Sequence, residues 1–394
     1  MRPGGYVLDG SSVPPWWSEC AWLASPVPGA EVTAHDALLS GGPADESGCR
    51  TGPNRRRAAG LPRRQVPHCR HPRPARRCPL RPAGVPGCRR EAVRPLLCVA
   101  GWHAAGGGEA APVVRAAAEL ELFHAFCLIH DDVMDRAATR RGQPRGTPSG
   151  AEGRKRAGDE RARAWLGTCS AILAGDMALA RSEELLDSAG QLTCRRTALR
   201  HVVEAMREEV MYGQHLDLLA PFSPATDLDT ALRVIRGKTA KYTIERPLHA
   251  GAVLAGANEP LLASLSAYAL LLGEAFQLRD DLLGGFGHPR RTGKPVLDDL
   301  REGKHTVLLA LACQRADPTQ HRLLRRLVGD PALGEDGAAH IRDVLEATEA
   351  RATVENMIVA RSTQALAALG AAPCPPATTA ALRRIVARTT ERTA

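Results

Sequence analysis

Aromatic residues are scarce in this chain of 394, only 4% of the sequence, so any core must be built from aliphatic side chains. Hydrophobic residues make up 44%, which is ample for one large domain or two ordinary ones. The eleven cysteines include no CxxC pair and no Cys/His set at zinc spacing. Cys127 and Cys169 fall inside apolar patterns, which predicts reduced core thiols and a cytoplasmic setting. No apolar run approaches the roughly 18–20 residues of a membrane span. The first thirty residues lack a basic start followed by an apolar stretch, so no secretory signal is visible. No alternating apolar and polar pattern announces a β-strand.

Acid is absent from one long stretch. Residues 51–90 carry twelve arginines, eight prolines and no Asp or Glu. The net charge is +9, and subtracting those twelve arginines leaves about −3 for the rest of the chain. A nucleic-acid footprint is therefore not expected of the globular part. The stretch has no apolar periodicity and reads as disordered or irregular. Residues 1–50 are similar apart from one "PPWWSECAWLA" cluster. Such text, running abruptly into a helical pattern, fits either a shifted reading frame or a real basic tail. The division expected is 1–84 irregular and 85–394 the working domain.

From about residue 94 the apolar positions recur every three or four residues. Val113, Ala117, Leu120, Phe123 and Cys127 form one face of a long helix. Residues 142–160 read as a polar loop. Helical patterns resume over 161–190, 196–219, 228–256, 260–284, 303–329, 337–369 and 376–391. An all-α fold of about ten helices is expected.

Chemistry enters with "LIHDDVMDRAATRRGQP" (128–144). Asp131 and Asp135 are one helical turn apart, which sets them about 5–6 Å from each other. Like charges that close need a cation between them, and Mg²⁺ suits hard oxygens shared with phosphate. A solvated acidic helix end is the plain alternative. A second stretch, "EAFQLRDDLLGGFG" (274–287), ends another apolar helix in Asp280 and Asp281. Cations suited to diphosphate follow in order: Arg140, Arg141, Lys238, Lys294 and Lys304. Arginine offers a two-pronged fork and lysine a point charge.

These segments, with "LAGD" (173–176), "GQHLDL" (213–218), "GKTAKYT" and "TGKPVLDDLREGKHT", resemble the trans-isoprenyl diphosphate synthases, or polyprenyl synthetase family, over about residues 93–394. The resemblance implies an isoprenoid synthase-type helical bundle around a deep central cavity, usually homodimeric, with three Mg²⁺ bound along with substrate. Asp131, Asp135 and Asp280 would hold the metals, supported by Asp132 and Asp281. Arg140, Lys238 and Lys294 would bind the allylic diphosphate (dimethylallyl, geranyl or farnesyl), with Lys304 among the diphosphate cations. Arg94, His124 and Arg141 match the isopentenyl diphosphate site. Thr239 and Gln277 match positions whose oxygens face the allylic cation, and the departing pyrophosphate would take the proton. Phe126, with Cys127 beside it and Phe123 one turn further, matches the positions that limit product length. A C20 product, geranylgeranyl diphosphate, is expected, with farnesyl diphosphate the alternative.

Two departures stand out. Gly284 replaces the third aspartate of the second motif, and Glu91 stands where the family has a lysine, beside the matching Arg94 and Pro95. A class I terpene cyclase would need an Asn/Ser/Glu triad on its second helix, where this chain has a second Asp pair. A non-catalytic partner subunit would have lost acids that are present here.

Overall fold

The computed structural model describes residues 93–108, 111–135, 160–189, 192–220, 227–287 and 297–390, with the backbone of 139–140 and 143–144. The expectations for residues 1–84, Glu91, Arg141 and Lys294 lie outside the described residues, as does the side chain of Arg140.

Helices dominate. They are α1 (Val93–Ala104), α2 (Ala111–Met134), α3 (Glu160–Ala189), α4 (Thr193–Leu219) and α5 (Leu228–Val234). A π-helix, Ile235–Glu245, runs directly on from α5 into α6 (Arg246–Ala255). Then come α7 (Glu259–Phe286), α8 (Asp298–Arg301), α9 (Val307–Arg315), α10 (Pro318–Leu327), α11 (Glu335–Ala347), α12 (Ala350–Ala371) and α13 (Pro376–Thr390). The expected absence of strands has one small exception. Thr139–Arg140 (β1) and Gln143–Pro144 (β2) form a two-residue antiparallel ladder.

Two long periodic stretches break where the pattern predicts single helices. The expected helix over 303–329 divides at Asp317–Pro318. There the Asp317 carboxylate accepts from the amides of Thr319 and Gln320, and the Gln320 side chain returns the bond to the Asp317 amide. This capping box with proline at the first turn starts a new helix. The expected helix over 337–369 divides at Thr348 and Glu349, the latter in a left-handed backbone conformation at φ 55°.

The core is in two parts. One gathers Leu97, Phe123, Leu199, Met206, Leu248 and Leu272. The other gathers Leu278, Leu282, Leu308, Ile341 and Val354. Helix α7 serves both, the first with Leu272 and the second with Leu278 and Leu282. An 18-residue window of α7 has a mean hydropathy of 1.5, so the helix is long and apolar enough to cross a membrane by length and composition alone. Its place against the π-helix and α12, and the aspartates near its end, make it a central core helix.

Glycines set the closest approaches. A Cβ at Gly101 would collide with the Leu248 carbonyl, and one at Gly251 with the Cys98 carbonyl, so α1 and α6 meet backbone to backbone. None of Cys98, Cys127, Cys169, Cys194, Cys313 and Cys374 is in a disulfide; Cys127 and Cys169 are only partly buried.

Candidate active site

The acidic ends of α2 and α7 open into one cavity of about 560 Å³. Asp131 lines it from α2; Gln277, Asp280 and Asp281 line it from α7. The π-helix supplies Lys238, Thr239, Tyr242 and Thr243, and the chain around α8 supplies Asp299 and Lys304. Its wider turn is a feature often found at functional sites. Gly213 of α4 and Gly273 of α7 hold it from two sides, since a Cβ at either would collide with its backbone.

The two cavity lysines each gather carboxylates. Lys238 Nζ donates to Asp217 Oδ2 at 2.6 Å and to Asp131 Oδ1 at 3.3 Å. Burial works against its charge, but Asp217 and Asp131 outweigh it and hold the ammonium above its usual range. Lys304 Nζ lies 2.9 Å from Glu302, 3.2 Å from Asp299 and 3.7 Å from Asp135. Those three acids likewise overcome burial and raise it. Both lysines are thus charged donors held at the mouth of the acidic sets.

The acids show the opposite strain. Burial, then the like charge of Asp131, raises Asp135 above the ordinary carboxylate range. Asp281 is pushed up to about 8 by burial, with Asp280 and Asp299 adding repulsion and a hydrogen bond from Gln277 opposing them. A divalent cation would remove that repulsion. Among the described residues no three acid, His or Cys side chains form a ready-made cage. Mg²⁺ takes one or two carboxylates and completes its shell with water and phosphate oxygens, and Asp131, Asp280 and Asp281 offer carboxylates at the cavity. The residues present fit such an ion.

Other expected residues fall as follows. Thr239 donates to Gln277 Oε1 at 2.7 Å, and Gln277 Nε2 donates to Asp281 Oδ1 at 2.7 Å, joining the polar pair to the second acidic set. Buried Arg94 donates to Thr243 at 2.7 Å and lies 4.4 Å over the Tyr242 ring. His124 Nδ1 is 3.0 Å from the Tyr242 hydroxyl. Phe126 and Cys127 line the cavity. Phe123 does not; it is fully buried beneath, 5.5 Å from Phe126 between ring centres. Asp132 and Asp135 are also off the lining, and Asp135 joins the site through Lys304.

Sequence reasoning missed Asp217, Asp299, Glu302, Tyr242 and Thr243. All but Glu302 line the cavity, and all five lie in segments already singled out, but nothing local marks which side chain turns inward. Asp299 also explains Gly284. Its carboxylate occupies the space that a side chain at 284 would need, so an acid from α8 stands beside the position of the missing aspartate.

A family model described as polyprenyl synthetase matches residues 91–345, and the chain belongs to this family. It is 35% identical over 267 residues to the (2E,6E)-farnesyl diphosphate synthase of Mycobacterium bovis, covering 65% of this chain and 67% of that protein. It is 34% identical over 250 residues to the geranylfarnesyl diphosphate synthase of Aeropyrum pernix, covering 62% and 72%. The crystal structure of a geranylgeranyl pyrophosphate synthase from Corynebacterium glutamicum, complexed with isoprenyl diphosphate and magnesium, superposes with a TM-score of 0.72. That match has 40% identity and covers 77% of this chain and 87% of the other. The chain is accordingly a prenyltransferase of isoprenoid biosynthesis, in a Mg²⁺-dependent family with the all-α isoprenoid synthase fold.

Proposed function

We propose that this chain condenses isopentenyl diphosphate with an allylic diphosphate and makes geranylgeranyl diphosphate. The observation that carries this reading is the convergence of two acidic helix ends and two carboxylate-held lysines on one cavity floored by Phe126. Mg²⁺, three ions in the family pattern, would sit on Asp131, Asp135 and Asp280, with Asp132 and Asp281 in support. When bound, it supplies positive charge that stabilises the departing diphosphate.

The chain's own residues do the rest. Lys238 and Lys304 turn their ammonium groups from carboxylates to diphosphate oxygens, as Arg140 and Lys294 would from their segments. Arg94, His124 and Arg141 hold the second diphosphate, with Arg94 aimed by Thr243 and Tyr242. The Thr239 and Gln277 oxygens present dipoles to the cationic carbon, in positions fixed by their mutual hydrogen bond. The catalytic unit is 85–394, a boundary supported by the family match that begins at 91.

Product length follows from the wall of α2. Phe126 stands about 7.5 Å below Asp131 at 1.5 Å per residue. Its ring is wedged between Phe123 and His130, whose ring centre is 4.5 Å away. Phe126→Ala should therefore lengthen the main product by at least one five-carbon unit. Chromatography of the dephosphorylated products checks this, and an unchanged distribution would return Phe126 to the core. Retention of C15 as the parent's end product would favour farnesyl diphosphate synthesis instead.

A homodimer completes the reading. Trp165, Leu166, Leu173 and Met177 of α3 and Met211, Tyr212, Leu218 and Leu219 of α4 are exposed, and Met211 and Leu218 also border the cavity. Large apolar faces of this kind mark contact surfaces. Light scattering should give twice the chain mass, and Leu173→Glu with Tyr212→Glu should give the single chain.

A further inference from the structure

The cavity ends abruptly. Its lining runs down α2 as far as Phe126 and His124, and down α4 as far as Val210. One turn below lie Phe123 on α2 and Arg207 on α4. The Arg207 guanidinium sits 5.0 Å from the centre of the Phe123 ring, which also makes an edge contact with Tyr242 at 6.0 Å. Arg207 Nη2 donates to Glu119 Oε1 at 2.9 Å and to Ser182 Oγ at 3.1 Å, while its other terminal nitrogen pairs with Glu183 of α3. Glu119, one turn below Phe123, is 1% exposed.

This group is costly where it stands. Glu119 Oε2 and Arg207 Nε are buried without a hydrogen-bond partner. Burial pushes the Glu119 carboxyl up to about 7 against the pull of Arg207. A buried ion pair is weak evidence for stability, because apolar residues of similar volume often serve a fold as well or better. Stability alone therefore gives little reason for charge at this depth, directly in line with the aromatic floor of the cavity.

We propose that the Glu119–Arg207 pair is the terminal stop of the prenyl-tail channel, fixing the Phe123 ring from below and setting charge in the path of a tail that passes it. This rests on the chain-elongation reading given above. Glu119 is about 18 Å from Asp131 along α2 at 1.5 Å per residue. An apolar tail growing from the carboxylates would meet Phe126, then Phe123, then the pair. Beyond Phe123 it would have to part a hydrogen-bonded charge pair set within the packed core. Glu119 and Arg207 are positioning residues here, since neither touches the reacting atoms.

The test uses the full chain in four forms: the parent, Phe126→Ala, Glu119→Leu with Arg207→Met, and all three substitutions together. Each is given isopentenyl diphosphate and Mg²⁺ with dimethylallyl, geranyl or farnesyl diphosphate in turn, and product lengths, total isopentenyl consumption and thermal unfolding are read. The triple variant is expected to make at least about tenfold more of the chains longer than the longest product of Phe126→Ala, without a matching loss of consumption. A triple variant with the same distribution as Phe126→Ala overturns the proposal. If Phe126→Ala alone changes nothing but the triple variant lengthens the product, the stop stands and the Phe126 assignment falls. A parent that elongates no allylic diphosphate overturns both the function and the stop. Should the Leu/Met pair fail to fold, Glu119→Gln with Arg207→Gln removes both charges and leaves a polar amide at each position. Combined with Phe126→Ala it must also yield longer chains, or the proposal is wrong.

Discussion

Alanine at Asp131 or at Asp280 should lower turnover by at least about 10²–10³, the scale expected when one key electrostatic group is removed. The two positions face one cavity from different helices, so each loss leaves the opposite acidic set in place. The fold is not at stake. Asp280 is one of the charges that raise Asp281, and Asp131 is one of those that raise Asp135. Removing either acid relieves like-charge repulsion, and the neighbouring carboxyl should return toward its ordinary range. Unchanged circular dichroism alongside a collapsed kcat is the expected pair of results. Higher Mg²⁺ should restore little, because the missing charge acts on the departing diphosphate as well as on metal affinity. Near-normal turnover of either variant at saturating substrate would show that the metal assignment is wrong.

The acidic helix ends were legible because like charges at helical spacing have few explanations, and a second set far along the chain removes most of them. Lys238 and Lys304 were legible as cations in order, but not their partners. That Lys238 is held at 2.6 Å by Asp217 depends on how α4 packs against the π-helix. No local spacing carries that information. The all-α class followed from periodicity. The break at Pro318 was readable from Asp317 and Pro318 with Gln320, a helix-start pattern that sequence reasoning missed. The break at Glu349 was not, because apolar positions keep the helical period across it. The π-helix was equally hidden. Lys238, Thr239, Tyr242 and Thr243 would share a face in either winding, so the pattern does not distinguish them. Gly284 looked like a lost ligand, and only the position of Asp299 gives it a reason. The buried Glu119–Arg207 pair lay 88 residues apart in sequence and left no signal at all.

The π-helix also defines the second large effect. Gly213 is buried on α4, and a Cβ there would run into the backbone of Gly237 and Lys238. Gly237 closes the same contact from the other side, with a Cβ there only 3.3 Å from the Gly213 Cα. The π-helix has no room to retreat, because Gly273 of α7 meets Ala240 just as closely. Gly213→Val should therefore cost about 1–3 kcal/mol of stability through overpacking. It should also do something a distant core defect would not. The displaced segment carries Lys238, whose bonds to Asp217 and Asp131 set its place at the acidic cluster, and Thr239, which holds Gln277. The KM for the allylic diphosphate should rise and kcat should fall together, while the folded fraction, measured by thermal unfolding at the assay temperature, stays high. Gly370→Ala is the control, since nothing stands within 4 Å of the added carbon and its helical backbone is unstrained. It should cost no stability, as alanine is the better helix former. If Gly213→Val matched the parent in KM and kcat, the close approach of α4 would not be what positions Lys238.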